Sequence, residues 1–258
     1  MNLAVESRGA GPELVLLHGW GMHSGMWGEF ADALARDYRV TCIDLPGHGR
    51  SGWAPGATGL ASWSAACLAV VPGEAIWLGW SLGGLVALQA AVSAPSRVRG
   101  LVMLAATPRF VRADDWPSAV PLGTLGQFDA ALRDDYHRTL ERFLALQVRG
   151  SSEAHTTLRR LREALRARDE PNPDGLAVGL GLLRRSDLRA LLPQLAVPSL
   201  WLFGERDTLV PAEAGEAILG MTARAVARCI AGAGHAPFLS HAGICVGHVR
   251  DFLERQDA

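Results

Sequence analysis

The chain contains no lysine: all 25 basic residues are arginine, set against 26 acidic residues for a formal charge of -1. So even a balance gives no electrostatic footprint for nucleic acid or an anionic membrane. Arginine-only usage fits genome composition as readily as phosphate recognition, so it assigns no function. Cysteine is sparse as well. Cys42, Cys67, Cys229 and Cys245 are scattered, with no C-x-x-C spacing and no histidine at metal-ligand spacing, so no metal site is expected. They read as small core residues in a reducing compartment. No apolar run reaches the roughly 18 residues of a membrane span. The segment Met1 to Glu6 lacks a basic stretch followed by an apolar one, so no secretory signal is visible. Repeats and low-complexity segments are missing too. The expectation is a soluble, cytoplasmic monomer. At 258 residues the chain can bury a large core, and its Pro- and Gly-containing breaks are too short for a flexible linker. One α/β domain with an insertion is preferred over two domains.

What the chain does have is a stretch around which the rest is organised, Ala75 to Leu88: an apolar run, the pentad Gly79-Trp80-Ser81-Leu82-Gly83, then an apolar run at helix period. A buried strand that turns into a helix within a few residues forces its turn residue into strained geometry, tolerable where the flanking residues lack a Cβ. Such a turn lifts a serine hydroxyl clear of the sheet beside a helix N-terminus, where free N–H groups favour an oxyanion. Ser81 is therefore the candidate nucleophile. The plain alternative, a serine in a glycine-rich turn, is weakened by the strand before it and the helix after it.

Leu14 to Leu17 reads as a strand buried on both faces of a parallel sheet, and Val40 to Ile43 as the next strand. The first runs into His18-Gly19-Trp20-Gly21, where the Trp20 N–H is expected to be the second oxyanion donor and its indole to line an acyl pocket. The second runs into Asp44-Leu45-Pro46-Gly47-His48, a turn whose Asp44 and His48 could be catalytic but are better read as fixing the loop's shape. Helices are expected from Trp27 to Arg36, Leu60 to Val71 and Leu82 to about Ala94, and strands at Val98 to Ala106, Pro198 to Phe203 and Ala223 to Ile230. His241 to Arg255 closes the chain as a helix. Between Arg109 and about Arg185 the strand pattern vanishes. Two amphipathic helices, Gln127 to Val148 and Ser152 to Arg168, are followed by a run from Arg168 to Gly175 that breaks the register. Residues 1–110 and 186–258 are thus expected to form the core, and 111–185 a helical cap.

A serine hydroxyl needs a neighbouring base, and that imidazole needs an acid to hold its tautomer. In doubly wound hydrolases these follow in the order Ser, Asp or Glu, His, each on a loop at the carboxyl end of a strand. Of eight histidines, only His235 sits in a glycine-flanked loop after a late strand. Asp207 is preferred as the acid over Glu205 because it stands deeper in its turn and leads into the next helix. The Leu82 N–H completes the oxyanion hole. This mechanism requires no metal or organic cofactor.

These segments resemble the α/β-hydrolase superfamily. Leu16 to Gly21, Asp44 to Gly47, Ala75 to Ala87, Glu141 to Gln147 and His235 to Phe238 resemble, within it, the methyl-ester esterases of biotin synthesis. That resemblance implies hydrolysis of the methyl ester at the far end of a pimeloyl chain held by acyl-carrier protein. It places the acyl chain between Trp20, Ser81, Leu82, His235 and Phe143, Leu144, Ala145, Leu146 and Gln147. Acyl-carrier protein is acidic, so the resemblance points to Arg138, Arg142 and Arg159 as its footing; a solvated helix face laced with Asp134, Asp135 and Glu141 is the plainer account of those arginines. A general short-chain esterase, a carbon-carbon bond hydrolase, or a non-catalytic binder on the same fold remain alternatives. A dehalogenase or epoxide hydrolase is disfavoured, since each needs a carboxylate nucleophile where Ser81 stands.

Overall fold

The computed structural model describes residues 1–168 and 170–257. Among them a seven-stranded sheet runs in the order β1-β3-β2-β4-β5-β6-β7. Its strands are β1 (Val5–Arg8), β2 (Glu13–Leu17), β3 (Arg39–Ile43), β4 (Ala75–Trp80), β5 (Val98–Leu104), β6 (Ser199–Gly204) and β7 (Ala225–Ile230). Only β1 is antiparallel, pairing Val5 with Ile43 at the sheet edge; the rest are parallel. β1 carries no apolar run because each of its residues is at least partly exposed, so the hydrophobic pattern gave it no signal.

The continuous apolar strands follow from burial on two sides. Side chains alternate across a strand. Val15, Leu17, Trp77, Leu101, Met103 and Trp201 join one core, while Leu14, Leu16, Ile76, Leu78, Val102 and Leu200 join the other. The first core is covered by α2 (Leu60–Val70), α3 (Leu82–Ser93) and α8 (Ala214–Met221); the second by α1 (Gly28–Leu34) and α10 (Ala242–Asp257). The register sets Leu17 opposite Gly79, Trp80 opposite Leu104, and Gly204 opposite Ile230. The carboxyl ends of β2, β4, β6 and β7 therefore finish along one rim, and the loops that follow them share it.

Between β5 and β6, among the described residues, lie four α-helices, α4 (Leu122–Asp134), α5 (Tyr136–Gln147), α6 (Ala154–Arg166) and α7 (Pro173–Arg185), and a 3-10 helix over Arg189–Gln194. The single helix expected over Gln127 to Val148 is two. Asp135 is extended at φ -154° and its carboxylate accepts the Arg138 N–H, starting a new helix within a continuous apolar period. The register-breaking run ends by starting α7: Asn172 caps it by accepting the Gly175 N–H, and Pro173 occupies the first turn. Asp169, inside that run, lies outside the described residues. The closing helix is preceded by a short turn of helix, α9 (Pro237–Ser240). Cys42, Cys67 and Cys245 are buried as expected, but Cys229, on the edge strand β7, is exposed. No helix among the described residues is long and apolar enough to cross a membrane.

The sheet and α3 meet at their tightest where Gly83 lies on the end of β2, since a Cβ there would collide with the Leu17 and His18 carbonyl oxygens. Both are backbone atoms and cannot rotate away. Gly83→Ala should therefore cost about 1–3 kcal/mol of stability, in the range of overpacked sites, read from the urea midpoint. A variant as stable as the parent would contradict the close approach.

Candidate active site

Ser81 lies between β4 and α3 with φ 55° and ψ -117°, one of two non-glycine residues with positive φ among the described residues. Its N–H donates to the Leu104 carbonyl of β5 (3.1 Å), and its own carbonyl accepts the Gly84 N–H (2.9 Å). The strain is held by both neighbours. A Cβ on Gly79 would strike the Gly83 backbone, so the turn closes only because both flanking positions are bare, as the pentad predicts.

His235 and Asp207 arrive on the loops after β7 and β6. His235 Nε2 is 2.9 Å from Ser81 Oγ and Nδ1 is 2.7 Å from Asp207 Oδ2. The acid's other oxygen, Oδ1, accepts the Leu209 and Val210 N–H groups at 2.8 and 3.0 Å. One oxygen is thus anchored to backbone and the other faces the imidazole, which fixes the proton on Nδ1 and leaves Nε2 to accept from the serine. The backbone of His235 is held on both sides: its N–H donates to the Gln147 carbonyl (3.0 Å) and its carbonyl accepts from Trp80 Nε1 (2.6 Å). Ser81, Asp207 and His235 are 2, 6 and 1 % exposed, so the site is closed over. Glu205, the competing acid, points elsewhere. Its Oε2 accepts the Gly232 N–H at 2.7 Å and braces the histidine loop from the surface.

The loop after β2 lies against this turn. The indole Nε1 of Trp20 donates to the Leu176 carbonyl of α7 (2.8 Å), and its ring meets Phe143 of α5 edge-on at 4.8 Å. Trp20 and Leu82 converge on α7 at Gly179, where a Cβ would meet Trp20 Cδ1 at 2.9 Å and Leu82 Cδ2 at 3.2 Å. Behind the loop, Asp44 accepts the Ser24 and Arg50 N–H groups (2.6 and 2.9 Å), and His48 Nδ1 donates to the Pro46 carbonyl (2.9 Å). Both therefore fix loop shape, as preferred from sequence. His18 and His48 are fully buried, and desolvation pushes their pKa values down to about 3 and about 4.

Of the residues named on α5, Phe143, Leu144 and Gln147 are buried, Leu146 is half-buried and Ala145 is exposed. Leu144 belongs to the other core from Phe143. Arg138, Arg142 and Arg159 are all exposed. Arg142 lies 5.7 Å from the Phe128 ring and Arg159 pairs with Glu163 at 3.8 Å. Glu141 pairs instead with Arg162 and Arg166, and Asp135 is spent on the helix cap. Sequence reasoning missed the Gln147, Leu176 and Glu205 contacts. Each is made to or through a backbone group, which leaves no trace in residue type.

The sheet order, the strained turn and the joined serine, histidine and aspartate place the chain among the α/β hydrolases, and the family model for the alpha/beta hydrolase fold matches residues 12–242. The chain belongs to that family. The pimeloyl-[acyl-carrier protein] methyl ester esterase of Xanthomonas oryzae pv. oryzae is 54% identical over 235 residues, covering 91% of this chain and 92% of that protein. The protein of the same name from Xylella fastidiosa is 47% identical, covering 96 and 98%. Among solved structures, a hydrolase from Pseudomonas aeruginosa aligns with a TM-score of 0.81 at 30% identity, covering 97% of this chain and 94% of that one. An esterase from Exiguobacterium antarcticum, at 22% identity, reaches 0.87 over 98 and 95% and shows the shared fold.

The neutral histidines make stability depend on acid. His18 and His48 titrate near 6.5 when unfolded but only at about 3 and about 4 when folded, so between those limits the unfolded chain binds more protons. Stability should fall steadily as pH drops from about 6.5 towards 4, read as a declining urea midpoint. A flat midpoint across that window would contradict the neutral assignment.

Proposed function

We propose that this protein is a serine esterase that hydrolyses the methyl ester of pimeloyl-[acyl-carrier protein], releasing methanol and a free carboxylate in biotin biosynthesis. What carries the reading is an intact hydrogen-bonded Ser81–His235–Asp207 set in a chain about half identical, over nearly its whole length, to esterases of that name. Ser81 Oγ attacks the ester carbonyl while His235 Nε2 takes its proton, and Asp207 steadies the imidazolium. The tetrahedral oxyanion is held by the N–H groups of Trp20 and Leu82, the latter the first residue of α3. As the intermediate collapses, methoxide leaves with the proton from His235. Water then attacks the acyl-serine, giving a proton to His235 that returns to Ser81, and the pimeloyl carboxylate is released.

The acyl chain runs between Trp20, Leu82, Phe143 and Gln147, under inserted helices that act as a cap. Burial of Ser81 and His235 supports this, because substrate reaches the hydroxyl only if α5 and α7 draw back from Trp20 and His235. The exposed Arg138, Arg142 and Arg159 are the proposed footing for the acidic carrier. The test is methanol release from pimeloyl-[acyl-carrier protein] methyl ester by the purified enzyme. Turnover of that substrate, and growth rescue of a strain lacking the esterase, support the reading. Turnover of small esters alone would replace it with a broader esterase, and no ester turnover would leave a binder.

Replacing the three arginines by glutamate should raise KM for the carrier-bound substrate roughly tenfold, the sum of a few exposed charge pairs, and leave small esters unaffected. Added salt should imitate the effect. Equal losses on both substrates would reject docking through these residues.

A further inference from the structure

The Gly19–Trp20 peptide unit has two polar ends. One is the Trp20 N–H assigned above to the oxyanion; the other is the Gly19 carbonyl, which faces an imidazole. His18 Nδ1 lies 2.8 Å from the Gly19 oxygen, and His18 Nε2 accepts the Leu45 N–H from the loop after β3 at 2.9 Å. With Nε2 occupied as an acceptor, the single proton of the neutral ring sits on Nδ1, so the contact to Gly19 is a donated hydrogen bond. The ring is fully buried and lies 5.5 Å from that of His48. Nothing about this tautomer is left free to rotate.

We infer that His18 is a positioning residue for the ester hydrolysis, holding and polarising the Gly19–Trp20 peptide so that the Trp20 N–H is aimed at the oxyanion before substrate arrives. The inference rests on the assignment of Trp20 as a donor. A trans peptide is planar, with its C=O and N–H pointing to opposite sides, so pinning the carbonyl fixes the direction of the N–H. The Gly19 oxygen also accepts the Met22 N–H at 3.3 Å. Two donors on one carbonyl draw electron density from the amide and make its N–H the stronger donor, as in any hydrogen-bonded chain. The relay runs from Leu45 N–H through the imidazole and the peptide to the point where negative charge develops. Charge on the ring would destroy it by converting Nε2 from acceptor to donor, and burial keeps the ring neutral by pushing its pKa down to about 3.

Three replacements separate the two ends of the ring. His18→Asn keeps an N–H near Nδ1 but loses the acceptor for Leu45; His18→Gln keeps an acceptor near Nε2 but loses the donor to Gly19; His18→Ala loses both. His18→Gln and His18→Ala should lower kcat roughly ten- to hundredfold, less than the ~10²–10³ of removing an oxyanion donor outright, with KM little changed. His18→Asn should recover a large part of that loss. Affinity for a trifluoromethyl ketone, which forms a tetrahedral oxyanion on Ser81, should fall in step with kcat, whereas a merely structural role would lower the melting temperature without this selective loss. Wild-type kcat and ketone affinity in His18→Gln would overturn the inference.

Labelling of the wild-type serine by a fluorophosphonate keeps the two levels apart. An unlabelled Ser81 would mean that the esterase reading has failed, while a labelled Ser81 with an unaffected His18→Gln would mean that only the positioning role has. Should the variants not fold, ring ¹⁵N spectra of the wild type decide the matter. A proton on Nδ1 of His18 between pH 5 and 8, shifting when the ketone adduct forms, is the expected result. A proton on Nε2 would refute the relay.

Discussion

The contact between Ser81 Oγ and His235 Nε2, 2.9 Å long and spanning 154 positions of sequence, is the interaction on which the rest of the molecule depends. No local propensity brings those residues together. The sheet does, because its register ends β4 and β7 on the same rim and each short loop then delivers one side chain to a shared point. The parallel arrangement explains why both faces of the central strands are apolar, and why the chemistry is confined to the loops, where polar groups can be satisfied without breaking a ladder.

The cost of that arrangement is stored at the turn. Ser81 adopts a backbone conformation that L-residues avoid, held by packing that leaves no room for a Cβ on Gly79 or Gly83. Around it the supporting bonds are mostly backbone to side chain: Asp207 on two N–H groups, His235 between Gln147 and Trp80, His18 between Leu45 and Gly19. Such bonds orient a catalytic group without introducing a competing titratable partner. They also tie α5 and α7 to the core through Gln147 and Leu176, so the inserted helices and the histidine loop are mechanically joined.

Much of this was legible in the sequence for identifiable reasons. Buried parallel strands leave continuous apolar runs, and the strand-turn-helix at Ser81 demands glycines at fixed offsets. The base must follow the serine and the acid in chain order, on a loop after a late strand, which singled out His235. What stayed hidden lacked a residue-type signature. β1 is half-exposed and so shows no run. The split between α4 and α5 falls within one apolar period and is made by a single capping aspartate, Asp135. α7 begins inside a Pro- and Asp-rich run that reads as a breaker, although proline in the first turn and asparagine before it are starting signals. Asp207 rather than Glu205 meets His235 because the shorter side chain sits where the turn's own N–H groups can fix it, while Glu205 reaches outward to Gly232.

That one serine, made nucleophilic by one imidazole, breaks the ester is the step the whole mechanism needs. It is tested most directly by comparing turnover of pimeloyl-[acyl-carrier protein] methyl ester by the parent and by Ser81→Ala, with circular dichroism to establish that both are folded. The expected result is a folded variant whose kcat is lower by about 10⁴–10⁶, the scale of losing a catalytic serine. A folded Ser81→Ala protein that still releases methanol at a rate near that of the parent would contradict it.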